Sequence, residues 1–169
     1  MGNNIKLKIK PLMEVHWPRI SEIYQKGIET GLATFETVVP GWEVWNKSHI
    51  MCCRFVTILD KEVTGWVALS AVSDRCCYGG VAEVSVYVDP AHQGSGTGSA
   101  LLAEAIHESE KHGIWTLQAG IFSENIPSIK LHQKHGFRIV GVREKLGKLD
   151  NTWKDVVLME RRSKRVGIE

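Results

Sequence analysis

The 169-residue chain contains no apolar run approaching the ~18 residues a membrane span needs. Its charges nearly cancel: 21 Lys and Arg face 19 Asp and Glu, for a net charge of +2, which gives no electrostatic argument for nucleic acid. One basic concentration, Arg161-Arg162-Ser163-Lys164-Arg165, reads first as a solvated tail and second as a binding patch. Cysteine is scarce and oddly placed. The four thiols form two adjacent pairs, Cys52-Cys53 and Cys76-Cys77, lacking both the spacing of a zinc site and a disulfide framework. Neighbours on a strand point to opposite faces, so the expectation is reduced, packing thiols, with a redox role as the alternative. The N-terminus lacks the apolar core of a signal peptide, and Lys6 stands where N-myristoylation requires Ser or Thr. A soluble, cytoplasmic protein is expected, with residues 1–169 forming one domain.

What is present alternates between the period of a strand and that of a helix. Ile5, Leu7 and Ile9 predict a first strand; "PRISEIYQKGIETG" predicts a helix opened by Pro18, closed by Gly31, and apolar at Ile20, Ile23, Tyr24 and Ile28. A short helix around 42–50 leads to two strands, "CCRFVTILD" and "EVTGWVALSAV", turned at Asp60-Lys61. A strand over 82–88 follows a loop with Arg75, Gly79 and Gly80, and a helix then runs through Lys111 to His112-Gly113. "IWTLQAGIF" reads as a strand, "NIPSIKLHQKHGF" as a helix, and the remainder as two strands about a turn at 149–151. The pattern predicts an α/β layered (α+β) fold, one mostly antiparallel central sheet flanked by helices.

The joint between strand and helix carries the chemistry. In "VSVYVDPAHQGSGTGSALL" the glycines at 94, 96 and 98 precede a helix, whose free N–H groups and dipole attract anions, so the expected ligand is a phosphate. A P-loop would place Lys after its last glycine, where Ser99 stands; a dinucleotide fingerprint would place its third glycine at Ser99 too. A plain helix start is the alternative. What remains, Gln93-Gly94-Ser95-Gly96-Thr97-Gly98, resembles the acetyl-CoA signature of the GNAT superfamily of N-acetyltransferases. "TFET" (34–37), "VAEVSVYV" (81–88), "NIPSIKLHQKHGF" (125–137) and "GKLDNTWKDVVLM" (147–159) resemble its phosphinothricin and methionine sulfoximine acetyltransferase branch.

That resemblance implies a GNAT-like fold, an acetyltransferase using acetyl-CoA without a metal, and a homodimer. It implies that backbone groups of Val86, Tyr87 and Val88 hold pantetheine, with the Val88 amide facing the thioester oxygen. Residues Gln93, Gly94, Ser95, Gly96, Thr97, Gly98 and Ser99 would cradle the pyrophosphate, while Asn125 and Ser128 would contact the cofactor from the next helix. An α-amine with pKa near ~8 is mostly protonated at neutral pH and needs a base. Glu83 is the candidate: a carboxylate on an apolar strand is costly unless paired or used. The alternative is a Glu paired with Lys or Arg at a sheet end. Many superfamily members place Tyr seven residues after the helix-start Asn; here His132 occupies that position, as in the phosphinothricin branch, and is expected to act as acid or base. It could also be a packed surface His. His135 lies three residues on, but no third ligand supports a metal there.

Arg75 is the candidate for a substrate carboxylate, since guanidinium forks onto carboxylates. Phe35 is expected to line the substrate pocket with Ser85 and Glu83; Glu36 and Trp66 are weaker candidates, and Trp153 reads as structural. The implied substrate is a small amino-acid-like amine. A protein N-terminus, a polyamine, an aminoglycoside, or a non-catalytic acetyl-CoA-binding module stand as alternatives.

Overall fold

The computed structural model describes residues 7–168. Leu7 precedes the first strand, β1 (Lys8–Pro11), and Ile5 lies outside the described residues. The order continues α1 (Trp17–Glu29), α2 (Trp42–Ser48), β2 (Phe55–Leu59), β3 (Glu62–Ala71), β4 (Val81–Val88), α3 (Thr97–Lys111), β5 (Thr116–Phe122), α4 (Ile126–Lys134), β6 (Arg138–Leu149) and β7 (Thr152–Arg162). The strands form one sheet in the order β1-β2-β3-β4-β5-β7-β6, antiparallel throughout except for β4 with β5. The expected α+β layering is what forms.

Both tight hairpins use left-handed backbone at two successive residues. Asp60 and Lys61 have φ of 49° and 71°, and Asp150 and Asn151 have φ of 47° and 62°. Mirror-image turns of this kind match the right-handed twist of the strands they join.

The helices cover opposite faces. On one, Ile20 and Ile23 of α1 and Trp45 of α2 pack with Trp66 and Ala68 of β3. On the other, Leu101, Leu102 and Ala105 of α3 pack on Val67, Leu69 and Val84. Because β3 is buried on both faces from Val63 to Leu69, its sequence reads as a nearly continuous apolar run. Burying each large apolar side chain is worth roughly 1.5–3 kcal/mol, so this sandwich holds the strand that β4 must lean on.

Two expectations give way here. Cys52 and Cys53 do not lie on β2, which begins at Phe55; they sit in a bend where Cys53 has φ of 62°, and their sulfurs converge to 3.3 Å instead of pointing apart. Cys76 and Cys77 are exposed in a short 3-10 turn and do not pack. Nor is the basic tail simply solvated. Arg161 and Arg165 pair with the buried Glu110 of α3, at 3.0 and 3.6 Å, and Arg162 donates to the Trp115 carbonyl at 3.1 Å. The tail is therefore a clasp. Burial raises the Glu110 pKa, but the Ser163 hydroxyl and the two arginines more than offset this and hold it below the usual range. Among the described residues, no helix is long and apolar enough to cross a membrane.

Candidate active site

The site begins as a failure of pairing. β4 pairs with β3 from Ala82 to Val88 but with β5 only from Val81 to Glu83, opposite Thr116 to Gln118. Beyond that point β5 stays with β7 through Phe122, so the two parallel strands separate into a V. The Asp89 N–H donates to the Thr64 carbonyl at 2.8 Å. By the alternation of an antiparallel ladder, the amides of Tyr87, Ser85 and Glu83 then also face β3, and those of Val86 and Val88 face the opening. A mid-sheet strand thus presents an unpaired edge, which must be satisfied by something other than protein.

A cleft of about 630 Å³ occupies the V. β4 contributes Glu83, Ser85, Val86 and Tyr87; β5 contributes Ala119 to Phe122; α4 contributes Ser128 and His132, and its N-cap contributes Asn125. The period of two on β4 sends Glu83, Ser85 and Tyr87 to the α1–α2 face and the valines toward α3 and α4. Trp66 lies outside the cleft, stacked under Tyr87 with ring centroids 4.7 Å apart.

Glu83 is half-buried and opposite Ser70 and Gln118, in the middle of the sheet. Its hydrogen-bond partner is the Gln118 amide, Nε2 to Oε2 3.1 Å, and among the described residues it forms no ion pair. The sheet-end pair with Lys or Arg does not form.

His132 is 4 % exposed. Its Nδ1 lies 2.8 Å from the Ser128 carbonyl, which can only accept, so Nδ1 carries the proton and Nε2 carries the lone pair. Among the described residues, Nε2 is buried without a partner. Burial, partly opposed by the Ser128 contact, lowers its pKa below the ordinary histidine value, so the ring is neutral at pH 7. Asn125 caps α4 by accepting the Ser128 N–H at 3.3 Å and ties it to the preceding loop by donating to the Leu32 carbonyl at 3.2 Å.

The glycine segment lies outside the cleft, at the end of β4. Gly94 and Gly96 have φ of 75° and 86°, and nothing lies within 4 Å of where a side chain would begin at either. Open space over left-handed glycines, at the start of a 15-residue helix, suits a phosphate. Thr97 is the first residue of α3, buried, with its hydroxyl 2.8 Å from Ser95. Gly98 has a packing duty as well, since a Cβ there would stand 3.2 Å from Leu131. Ser99 is 2.7 Å from His135 Nε2, which makes His135 a brace between α3 and α4. Gln93 is exposed beside this loop.

At the other end of the cleft, Phe35 packs edge-on against Phe122 at 4.7 Å and presses on Gly147, where a Cβ would fall 2.8 Å from the ring. Glu36 also lines this end. Arg75 does not: it is exposed, 5.5 Å from the Tyr78 ring centre. The arginine that lines the cleft is Arg143, itself exposed, where a bulge between Arg143 and Gly147 breaks the register of β6 on β7. Sequence reasoning had no signal for it, because a bulge is invisible to an alternation pattern. His49 was missed as well; it lines the cleft, stacks on Trp45 at 4.2 Å and donates from Nδ1 to the Trp45 carbonyl at 2.7 Å.

Residues 17–137 match the Acetyltransferase (GNAT) family. The chain belongs to this family. It is 38% identical over 144 residues, 82% of this chain and 88% of the relative, to Bacillus subtilis YwnH, which is provisionally named a phosphinothricin acetyltransferase. It is 41% identical over 78 residues, 46% of each chain, to the L-methionine sulfoximine/L-methionine sulfone acetyltransferase of Salmonella typhimurium. A phosphinothricin acetyltransferase from Sinorhizobium meliloti, solved in complex with AcCoA, superposes with a TM-score of 0.88 at 26% identity, covering 96% of this chain and 91% of that one. The V between β4 and β5 is therefore a cleft in a member of an acetyltransferase family.

Proposed function

We propose that the protein transfers an acetyl group from acetyl-CoA to the primary amine of a small amino-acid-like molecule of the phosphinothricin or methionine sulfoximine kind. The observation that carries this is the meeting, in one cleft, of an unpaired strand edge, a carboxylate without a cation among the described residues and a buried imidazole whose Nε2 has no partner among them. A protein kept only as a binding module would have no need of the last two.

Acetyl-CoA supplies the activated acyl group as a thioester. The free amides at Gly94 to Ser99 suit its pyrophosphate, and the open edge at Val86 and Val88 suits its amide-bearing arm; Tyr87 backs that edge through its ring. The Val88 N–H, on that open edge, donates to the thioester oxygen as that oxygen gains charge. Glu83, held by Gln118 alone, accepts the ammonium proton, directly or through one water. His132, fixed as the Nδ1–H tautomer, offers Nε2 as a second acceptor and hands its proton on to the departing sulfur. Asn125 and Ser128 hold the helix wall against the same arm.

Arg143 is the group we assign to the substrate carboxylate, with Phe35, Glu36 and Ser85 bounding the rest of the acceptor. We further infer that the chain is one domain and works as a homodimer. What supports the dimer is the edge strand β6, which exposes Ile139, Val140 and Val142.

Thiol release from acetyl-CoA with a panel of amines tests the reading. Methionine sulfoximine and phosphinothricin should turn over at least tenfold faster than an N-terminal peptide, a polyamine or an aminoglycoside. Turnover on none of them, with acetyl-CoA still bound, would overturn it.

A further inference from the structure

Outside the lining of the cleft, three ligating side chains converge that the activity does not use. Cys52 and Cys53 precede β2 and His112 follows α3, so they come from different parts of the chain. Their donor atoms lie within 4.8 Å of one another. α3 spans 15 residues at ~1.5 Å each, which puts this cluster about 22 Å from the glycine segment at its other end.

The local geometry is that of ligands held in place. Cys53 adopts φ of 62°, a conformation that side-chain-bearing residues rarely hold without surrounding constraint, and it swings its sulfur to 3.3 Å from that of Cys52. Cys53 is buried in the core beside Ile106, and Cys52 is half-buried. His112 sits 2.9 Å, Nδ1 to O, from the Glu108 carbonyl, which fixes the proton on Nδ1 and leaves Nε2 as a lone pair. That contact is how proteins orient a metal-binding histidine. The loop is braced from behind by Arg54, whose Nε donates to the Ile50 carbonyl at 2.6 Å and whose Nη1 donates to Asn46 Oδ1 at 2.5 Å.

We propose that Cys52, Cys53 and His112 form a binding site for one thiophilic divalent cation, with Zn²⁺ the best match to two thiols and an imidazole. Both thiols release their protons as the two S–Zn bonds form, so the two thiolates neutralise the ion and His112 binds as the neutral ring. At Zn–S distances of ~2.3 Å two thiolates on a tetrahedral ion stand about 3.8 Å apart, so the sulfurs open by about half an ångström. His112 is exposed, which leaves the fourth position to water. The bound ion ties the loop before β2 to the end of α3, and that loop carries the cleft residue His49. In the sequence its thiols read as reduced, packing residues because the site is assembled in space, without the spacing of a zinc motif.

The test uses the full reduced chain. Equilibrium dialysis against Zn²⁺ should give one ion per chain, Co²⁺ should give a thiolate charge-transfer band, and Zn²⁺ should protect two of the four thiols from a thiol reagent. Cys52→Ser and His112→Asn should each weaken binding at least about 100-fold, since even partners of metal ligands are worth 10- to 100-fold. His112→Asn is a surface change, so its folded state, checked by circular dichroism, keeps the test valid if the cysteine variant fails to fold. The double variant Cys76→Ser, Cys77→Ser should still bind one ion. The absence of the Co²⁺ band, or its loss in the Cys76, Cys77 double variant with retention in His112→Asn, would overturn the site.

Discussion

Two carboxylates, Glu83 near the start of β4 and Asp89 just past its end, are treated by the fold in opposite ways. Asp89 is 1 % exposed and saturated: it accepts from Arg19, from Lys26 at 3.1 and 3.3 Å, and from the Ala91 amide at 3.0 Å. Burial raises its pKa, but the Ala91 amide and the two cations outweigh this and hold it below the usual carboxylate range. Glu83 has one neutral amide and an open cleft. A carboxylate that is paired on every side builds structure, here by locking the end of β4 to α1. One left nearly unpaired on a mid-sheet strand stays available for a proton.

Neutralising each in turn should separate the two jobs. Glu83→Gln should lower kcat/KM near neutral pH by about 10²- to 10⁴-fold, the usual worth of a positioned base, with the unfolding midpoint almost unchanged. Asp89→Asn should act the other way round. It removes the carboxylate that Lys26 and Arg19 share, Arg19 keeping Glu22 at 2.8 Å, and because both cations are partly exposed the cost should be about 2–3 kcal/mol by denaturant titration, short of a fully buried pair. A large stability loss for Glu83→Gln, with unchanged turnover, would erase the contrast.

Acid should expose the same division at smaller scale. His132 and His49 have lowered pKa values, chiefly from burial. The unfolded chain therefore takes up protons at these rings first, and stability should decline as pH falls below about 6.5. A second, steeper loss should follow below about pH 4, where Asp89 and Glu110, depressed in the folded state, must be protonated. His132→Asn should make the first phase shallower, with His49 still contributing, and leave the second, as read from unfolding midpoints across pH.

The smallest of these effects concerns the far end of the cleft. Arg143→Ala should raise KM for a carboxylate-bearing amine about tenfold, the worth of one hydrogen bond to a charged group, and change KM little for an amine without one. A larger effect from Arg75→Ala would return the carboxylate anchor to the loop before β4.

Glu83, His132, Asn125 and the glycine segment were legible because each occupies a regular position, on a strand or at a helix end, that a repeating pattern and a family motif both mark. Asp89 was passed over although it is only six residues from Glu83, since nothing in "VDPAH" shows that α1 delivers Arg19 and Lys26 to it. Arg143 needed a bulge, and the sulfur pair at Cys52 and Cys53 needed a left-handed residue that interrupts a strand-like run. The seven-strand order follows from long-range pairing, and β7 inserts between β5 and β6 in a way no local signal records.

The measurement that tests the central claim most directly is the pH dependence of kcat/KM for Glu83→Gln beside the unchanged protein, with an amine of pKa near ~8 as acceptor. A base whose task is to remove the ammonium proton is needed least when solvent has already removed it. The deficit should be greatest near pH 6.5 and shrink steadily toward pH 9. A deficit that stays constant across that range, or no deficit at all, would contradict the role given to Glu83.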